Sequence, residues 1–410
     1  MFIILKFLYN LFSYLFQATL PFLSKLSPKM KLFVTGRKQV FDKLNTVDFK
    51  SNDWLWFHCA SLGEFEQALP LIEKLKKDSS VKVLVSFFSP SGYEQKKNHK
   101  LLDLVVYLPI DTSANANKFV NTVQPKATFF VKYEFWENYF KALNQKDIPI
   151  YMVSSAFRKD QIYFKWYGGF FKKTLKRVTH FFVQNKLSIE VLNENGFTNA
   201  SISGDTRFDR VYAQLSMDNQ LDFIEKFKAN RLCIVLGSTW PECENVFAEA
   251  INKSSRDVCF IIAPHEIKPE KIKNLQDKLT VKTSLFSKGV ELDSKVLIID
   301  AIGYLTRIYN YADIAYVGGA IGTTGLHNIL EPAVFGMPIL VGPNTNKFPE
   351  AKALEDYGGL KVVANSYEFS EVLSELILNK VTLNKMSKAS ASFIKTQVGA
   401  TDRVISSIII

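Results

Sequence analysis

Short apolar runs alternate with polar, helix-like stretches along most of the chain. The first series lies between Trp54 and about Phe208, and the second begins after the polar stretch SMDNQLDFIEKFKANR. Such runs have the composition of strands covered on both faces, which indicates parallel sheets with helices on each side. The first series is WLWFH, VKVLVSFF, LVVYLPI, ATFFVKY, IPIYMVSSA and THFFVQN, and the second is LCIVLGST, VCFIIAPH, KVLIID, DIAYVGG, MPILVGP and LKVVA. We therefore predict an α/β protein of two Rossmann-like domains, residues 27–209 and 210–410, that face one another across a central cleft.

The N-terminal stretch MFIILKFLYNLFSYLFQATLPFL is apolar over a membrane-spanning length. Its polar residues share one stripe of a helix, and they are Lys6, Asn10, Ser13 and Gln17. Because no small-residue cleavage site follows, a removable signal peptide is not expected. We predict that residues 1–26 form a membrane-associated helix, which lies in the interface or spans the bilayer with one polar seam; an ordinary core helix is the alternative.

A basic flank follows this stretch and would stay beside anionic lipid on the cytoplasmic side. It consists of Lys25, Lys29, Lys31, Arg37 and Lys38. We therefore expect the protein at the cytoplasmic face of the cell inner membrane.

The 410 residues carry a formal net charge of +11, which favours an anionic partner. Nucleic acid, phosphorylated substrates and an anionic membrane surface all fit this description. The chain has no dense basic run with interleaved aromatic residues, so we expect no nucleic-acid partner. Its four cysteines lack CxxC spacing, which indicates neither a disulfide framework nor a zinc site.

Two carboxylates follow predicted strands in the first half of the chain. Glu64 ends an S-x-x-E pattern that starts at Ser61 and is also the signature of a helix capping box. Glu134 lies just beyond another strand, in VKYEFWEN, and the two would share one sheet edge, which favours a reacting group over a cap. Since a helix N-terminus stabilises an anion, we expect Glu64 to be ionised at neutral pH and able to accept a proton from an alcohol. Arg207 suits phosphate or carboxylate, or forms a surface ion pair with Asp209.

The second half contains turns suited to a nucleotide. Ser238 and Thr239 lie in LGSTWPECE, where a strand turns into a helix, and are a possible phosphate cradle. His265 follows a strand and is either structural or in contact with a nucleotide. The glycine-rich segment 316–343 lets backbone approach a ligand, and Glu331 within it can accept hydrogen bonds from the vicinal hydroxyls of a ribose. No G-x-G-x-x-G follows the first strand, which argues against a dehydrogenase.

Together these segments match the pattern of one family. In chain order the matching segments are WFHCASLGEFEQALPLI, YLPIDTSANANKFVNTVQPKATFFVKYEFWEN, SGDTRFD, LGST, IIDAIGYLTRIYNYADIAYVGG and GLHNILEP. The chain resembles the 3-deoxy-D-manno-octulosonic acid (Kdo) transferases of lipopolysaccharide synthesis, which are membrane-associated inverting glycosyltransferases of the two-domain GT-B type. The resemblance implies CMP-Kdo as donor and a lipid A precursor, lipid IVA, as acceptor, with no cofactor and no metal. It also implies that Glu64 is the general base and that Glu134 and Arg207 stabilise the transition state.

The resemblance further implies where CMP binds. The matching positions are Pro264, His265, Ile302, Gly303, Tyr304, Asn328, Ile329, Leu330 and Glu331. The chain also departs from the family pattern, with Pro264-His265-Glu266 in place of Pro-Arg-His, Ile302-Gly303-Tyr304 in place of Met-Gly-Glu, Arg207 in place of Lys, Glu137 in place of Pro and Trp240 in place of His. Two alternative functions stay open: another GT-B enzyme that uses a UDP-sugar on a glycolipid, and a non-catalytic peripheral membrane protein.

Overall fold

The computed structural model describes residues 2–255 and 257–409, which form two compact units. The first unit contains the residues up to Arg210 and those from Val398 onward, and the second runs from Val211 to Gln397. The C-terminal segment therefore packs with the first unit, whereas the sequence pattern placed it with the second. Asp209 holds it there, because its carboxylate accepts hydrogen bonds from the backbone N–H groups of Gly399 and Thr401, at 2.5 and 2.6 Å, and from the Thr401 hydroxyl at 2.7 Å.

The described part of the first unit is built on seven strands. They are β1 (Trp54–Cys59), β2 (Lys82–Phe87), β3 (Leu104–Tyr107), β4 (Ala127–Val131), β5 (Ile150–Ser155), β6 (His180–Val183) and β7 (Ala200–Ile202). The strands form one parallel sheet in the order β3-β2-β1-β4-β5-β6-β7. The helices up to its boundary are α1 (Phe2–Leu23), α2 (Pro28–Lys38), α3 (Val40–Asn45), α4 (Leu62–Asp78), α5 (Pro90–Lys96), α6 (Ser113–Val123), α7 (Glu137–Asn144), α8 (Gly169–Leu175), α9 (Lys186–Glu194) and α10 (Thr206–Ala213).

The second unit repeats this architecture. Its described strands are β8 (Leu232–Thr239), β9 (Val258–Pro264), β10 (Thr283–Leu285), β11 (Val296–Ile298), β12 (Ile314–Val317), β13 (Ile339–Val341) and β14 (Leu360–Val362). They form a parallel sheet in the order β10-β11-β9-β8-β12-β13-β14. Its helices are α11 (Asp222–Lys228), α12 (Pro241–Lys253), α13 (Pro269–Asp277), α14 (Leu305–Ile308), α15 (Leu330–Val334), α16 (Pro349–Asp356), α17 (Ser366–Leu378) and α18 (Lys380–Gln397), while α19 (Ala400–Ile405) belongs to the first unit. The prediction of two Rossmann-like α/β domains is confirmed.

Each sheet has a topological switch point, where the strand order reverses its direction. It lies between β1 and β4 in the first sheet and between β8 and β12 in the second. In open α/β sheets, ligands bind in the crevice outside the carboxyl ends of the strands at such a point. The turns that follow these four strands are therefore where chemistry is expected.

Aromatic packing fixes the strands that carry these turns. All six residues of β1 are buried, and the Trp56 ring packs on Phe119, Phe130 and Tyr139 at centroid distances of 4.8, 5.3 and 5.7 Å. Its indole N–H is satisfied by Ser86 Oγ at 2.8 Å. The centre of the first sheet is thus rigidly packed, and the turns after β1 and β4 are held by it.

Helix α1 packs on the first unit through its polar stripe. The contacts run from the Tyr9 hydroxyl to Asp111 at 2.6 Å, from the Asn138 amide to Asn10 at 2.9 Å, and from the Asn115 amide to Gln17 at 2.7 Å. The opposite face exposes large apolar side chains, namely Ile4, Phe7, Leu8, Leu11, Phe12, Leu15 and Phe22. This polarity is the reverse of that of an ordinary surface helix. None of the helices in the described ranges combines the length and apolarity needed to cross a bilayer.

Arg37 was expected in an exposed basic flank, but the structure buries it. Its side chain donates hydrogen bonds to the carbonyl groups of Leu108, Phe33 and Phe88 at 2.9, 2.9 and 2.7 Å, and its guanidinium lies 3.6 Å from the centre of the Phe33 ring. Burial lowers the pKa of Arg37 to about 9. The residue therefore ties α2 to the turns after β2 and β3, and does not belong to the exposed positive surface.

Candidate functional site

Glu64 and Glu134 lie on either side of the switch point of the first sheet. Glu64 is the third residue of α4, which follows β1, and Glu134 lies in the turn after β4, the neighbouring strand. Burial, and next the negative charge of Glu134, raise the pKa of Glu64 from its ordinary value of 4.5 to about 7. The expectation that Glu64 is ionised at neutral pH is therefore corrected: its protonated and ionised forms coexist there, because burial and a like charge outweigh the helix N-terminus. A carboxyl group that titrates near neutral pH is suited to general acid–base chemistry.

Glu64 also keeps part of a capping role. Its Oε2 accepts a short hydrogen bond from the backbone N–H of Ala60, whereas the Ser61 side chain makes no capping hydrogen bond. In a capping box the carboxylate accepts the N–H of the N-cap residue, which is Ser61, whereas here it accepts the N–H of the residue before it. The contact fixes the direction of the carboxylate, so the cap and the reacting group are compatible roles of one side chain.

Glu134 is held by aromatic and imidazole groups. Its Oε2 accepts a hydrogen bond from the Trp136 indole at 3.0 Å and lies 3.4 Å from Nε2 of His58, a fully buried residue of β1. Lys132, in the same turn, has a left-handed backbone (φ 59°), and its charge lowers the pKa of Glu64. The sequence analysis did not identify His58 or Lys132 as site residues. The available signal for His58 was its place as the single histidine in the apolar run WLWFH.

Arg207 lies at the start of α10 and pairs with Asp205, which corrects the expected pairing with Asp209. Its Nε and Nη2 are both 2.8 Å from Asp205 Oδ2, and its backbone N–H also binds this carboxylate. Asp205 in turn accepts a hydrogen bond at 2.9 Å from Gln67, which follows Glu64 by one turn of α4. Helix α4 therefore connects the Arg207 turn to the Glu64 turn.

The second unit gathers three aromatic rings at its switch point. The His265 ring, directly after Pro264 at the end of β9, lies 4.5 Å from both Trp240 and His327. The Trp240 indole donates to Nε2 of His327 at 3.0 Å, so the His327 proton resides on Nδ1. Burial, and next the charge of His265, lower the pKa of His327 to about 4, which keeps it neutral at physiological pH. The three rings form an aromatic stack beside Thr239, whose carbonyl accepts the His265 N–H at 2.9 Å.

The possible phosphate cradle lies at the end of β8, beside this aromatic stack. Ser238 has a left-handed backbone (φ 52°), and the Thr239 hydroxyl is buried without a hydrogen-bond partner in the described residues. A buried hydroxyl of this kind is uncommon and is consistent with a ligand that supplies the missing partner.

Glu331 links two of the segments predicted to bind CMP. It accepts a hydrogen bond from the Thr306 hydroxyl at 2.8 Å and one from the Asn328 amide at 3.0 Å. Ile329 and Leu330 have buried side chains, so these two residues can offer a ligand only their main chain. The segments 302–306 and 328–331 are therefore brought together at the carboxyl edge of the second sheet.

The three residues from Ile302 to Tyr304 differ in exposure and in backbone conformation. Ile302 is 86% exposed, Gly303 has a φ of 96° that favours glycine, and Tyr304 packs against Phe286 at 4.9 Å and Phe223 at 5.9 Å. Tyr304 stands where the family pattern has a carboxylate, so an aromatic ring takes that place here. The described residues hold no group of three or more His, Cys, Asp or Glu side chains arranged for a metal ion.

Similar folds occur in solved structures. The UDP-GlcNAc 2-epimerase from Neisseria meningitidis bound to UDP-GlcNAc matches with a TM-score of 0.63 at 17% identity, over 86% of this chain and 98% of that one. MurG of Acinetobacter baumannii matches with a TM-score of 0.55 at 12% identity, over 87% and 98% of the two chains. At such identities the likeness concerns the fold alone, which is the two-domain GT-B fold.

Sequence comparison finds proteins that are similar to this chain. Residues 32–210 match the family described as 3-deoxy-D-manno-octulosonic-acid transferase (kdotransferase). The chain is 28% identical to the 3-deoxy-D-manno-octulosonic acid transferase of Aquifex aeolicus over 346 residues, which is 82% of this chain and 89% of that one. It is also 27% identical over 332 residues to a bifunctional glycosyltransferase/methyltransferase of Fusobacterium nucleatum, where the match covers 77% of this chain but 51% of that protein. The resemblance to the Kdo transferase family is confirmed, and the matches support a Kdo glycosyltransferase.

Proposed function

We propose that this protein transfers Kdo, with inversion, from CMP-Kdo to a sugar hydroxyl of a lipid A precursor such as lipid IVA. The observation that carries the proposal is Glu64, a carboxyl group with a pKa of about 7 at the switch point of the domain that matches the Kdo transferases. At neutral pH a large fraction of this group is ionised, and it is still basic enough to accept a proton from an alcohol.

The proposed reaction uses the three predicted catalytic residues in distinct roles. Glu64 takes the proton of the acceptor hydroxyl. At the same time the oxygen of that hydroxyl forms a bond to the anomeric carbon of Kdo. The bond from that carbon to the phosphate oxygen breaks, and CMP leaves with the electron pair. The Glu134 anion favours the cationic sugar of the transition state, and the forked donors of Arg207 offset charge on the phosphate or on the Kdo carboxylate. The second unit holds CMP through the segments around His265, residues 302–304 and Glu331.

The acceptor is a lipid, so we also propose that α1 holds the enzyme on the inner leaflet of the inner membrane, on its cytoplasmic face. The exposed apolar face of α1 supports this, since it would otherwise stand in water. Lys25, Lys29 and Lys31 follow it and suit anionic lipid. The inward polar stripe, which includes Asn10 bound to Asn138, keeps this face turned away from the domain.

Transfer would be tested on detergent-solubilised protein with lipid IVA and CMP-Kdo generated in the assay, and lipid mass would be followed by mass spectrometry. Wild-type protein should add Kdo masses, and Glu64→Gln should lose most of this activity. Glu66→Gln is the matched control, because Glu66 lies on the same helix and binds Lys96 and Arg210 at 2.9 and 3.1 Å. Equal activity of Glu64→Gln and wild type would return Glu64 to the role of a cap. Consumption of a UDP-sugar instead of CMP-Kdo would overturn the proposed donor.

A further inference from the structure

His58 is a buried polar residue in the middle of an apolar strand. It is 0% exposed, and its Nδ1 lies 2.8 Å from Ser86 Oγ and 3.1 Å from the Ser86 carbonyl oxygen on the paired strand β2. Its Nε2 has no hydrogen bond of good geometry within the described residues and lies 3.4 Å from Glu134 Oε2. A buried polar atom is costly unless it is compensated, and Glu134 is the group placed to compensate it.

The neighbours of His58 decide where its proton lies. The Trp56 indole can only donate, so Ser86 Oγ accepts its hydrogen bond at 2.8 Å; this hydroxyl can still donate to His58 Nδ1, whereas the Ser86 carbonyl oxygen, 3.1 Å from the same nitrogen, can only accept. The partners at Nδ1 are therefore compatible with either tautomer, and the Glu134 carboxylate beside Nε2 favours a proton on that nitrogen. The remaining tautomer would point a lone pair at the Glu134 carboxylate, which is repulsive. A buried chain of polar groups thus runs from Trp56 through Ser86 and His58 to Glu134.

We propose that His58 is a positioning residue that presents Nε2–H to Glu134 and so keeps this carboxylate charged and directed toward the site it shares with Glu64. The inference rests on the proposed function, in which Glu134 acts as an anion. The Trp136 indole donates to the same oxygen at 3.0 Å, so two nitrogen atoms lie close to this one carboxylate oxygen.

Other groups around the two carboxylates are spread over several elements. They are Cys59 on β1, Lys132 and Tyr133 in the turn after β4, and Arg158 and Tyr163 after β5. Burial raises the pKa of Cys59 well above its ordinary value, and burial followed by the charge of Glu134 raises the pKa of Tyr163 to about 12. Both therefore stay neutral near pH 7, where Glu64 titrates. Loss of the His58 donor makes the doubly ionised carboxylate pair harder to form, and the pair then takes up its first proton at higher pH.

The test compares three substitutions of His58. His58→Gln retains a terminal N–H donor at a similar reach, His58→Leu removes it, and His58→Asn reaches only the position of Nδ1. The acid limb of kcat/KM for Kdo transfer is measured against pH for each variant. We expect the limb to move up by about one pH unit in the Leu and Asn variants and to stay close to wild type in the Gln variant.

A second readout does not depend on the proposed reaction. Infrared difference spectra of the protein without substrate follow the protonated-carboxyl band that Glu64→Gln removes. That band should persist to higher pH in the Leu and Asn variants than in wild type and the Gln variant. A uniform loss of rate with unshifted limb and band, or equal behaviour of the Gln and Asn variants, would overturn the inference. Inactive wild-type protein would refute the proposed function, and the infrared titration would still decide the role of His58. If the Leu variant does not fold, the comparison of the Gln and Asn variants decides that role.

Discussion

Glu64→Gln should make the protein more stable at alkaline pH while it abolishes transfer. The folded protein raises the pKa of Glu64 from 4.5 to about 7, so the anion is disfavoured by folding. This difference in pKa corresponds to at most about 3.4 kcal/mol. Stability that the protonated group contributes is fully present below the unfolded value near 4.5 and is lost as pH rises through about 7. The neutral amide escapes this loss and can still accept the Ala60 N–H.

The assay is urea unfolding of wild type and Glu64→Gln at about pH 4.5 and about pH 8.5. We expect equal stability at the acid end and a gain of about 1–3 kcal/mol for the variant at the alkaline end. In a unit of this size that gain raises Tm by a few degrees, on the order of 2–4 °C per kcal/mol.

Glu66→Gln, two residues along the same helix, should give the opposite sign. Burial opposes the Glu66 anion, but hydrogen bonds and charges from Lys96 and Arg210 outweigh it, and the pKa of Glu66 is lowered. Its contribution is present above the unfolded pKa and is lost as pH falls, so this variant should be less stable than wild type at alkaline pH. A stability difference between Glu64→Gln and wild type that is independent of pH would refute the argument for a buried, charge-coupled Glu64.

Three further changes probe other parts of the chain. Phe7→Glu with Phe12→Glu, on side chains that are 64% and 68% exposed, should abolish sedimentation with anionic vesicles at unchanged Tm, and retained binding would contradict an interfacial α1. Gly318→Ala would place a Cβ 2.2 Å from the Ser238 carbonyl oxygen, so calorimetry should find the second unit destabilised by about 2 kcal/mol or more; an unchanged melting profile would count against this packing. Asp209→Ala removes the acceptor of three hydrogen bonds to the C-terminal segment, which should cost about 2 kcal/mol of folding stability and expose that segment to protease. Cleavage of the segment at the wild-type rate would contradict this role of Asp209.

Strands buried on both faces were predictable, and short edge strands were not. Each of the twelve apolar runs overlaps one strand of the two sheets. No such run covers β7 or β10, which have three residues each and lie at sheet edges. The residues of β7 are partly or fully exposed, so no burial pattern marks them. Periodicity reports burial, and it therefore finds the centre of a sheet more readily than its edges.

Contacts between residues that are distant in sequence could not be predicted either. The pattern placed Arg207 beside Asp209, but Asp209 binds residues 190 and 192 positions away, and Arg207 takes Asp205 instead. For α1 the polar stripe itself was predicted, but its inward direction depends on Asn115, Asn138 and Asp111, which only the fold brings beneath it. Helical spacing identifies a face, and tertiary contacts decide which way that face turns.

The ionisation of Glu64 illustrates how local sequence pattern and tertiary contacts combine at the site. Its place at the first turn of a helix after a strand follows from local pattern, and that pattern alone predicts a stabilised anion. Strand order then sets β1 beside β4, which brings in Glu134 from 70 positions along the chain, and burial in the fold removes water from Glu64. The charge of Glu134 and burial both raise the pKa of Glu64, and together they outweigh the helix N-terminus, so the group titrates near neutral pH. A base of this strength thus arises from the switch-point topology, because only there do the carboxyl ends of β1 and β4 become neighbours.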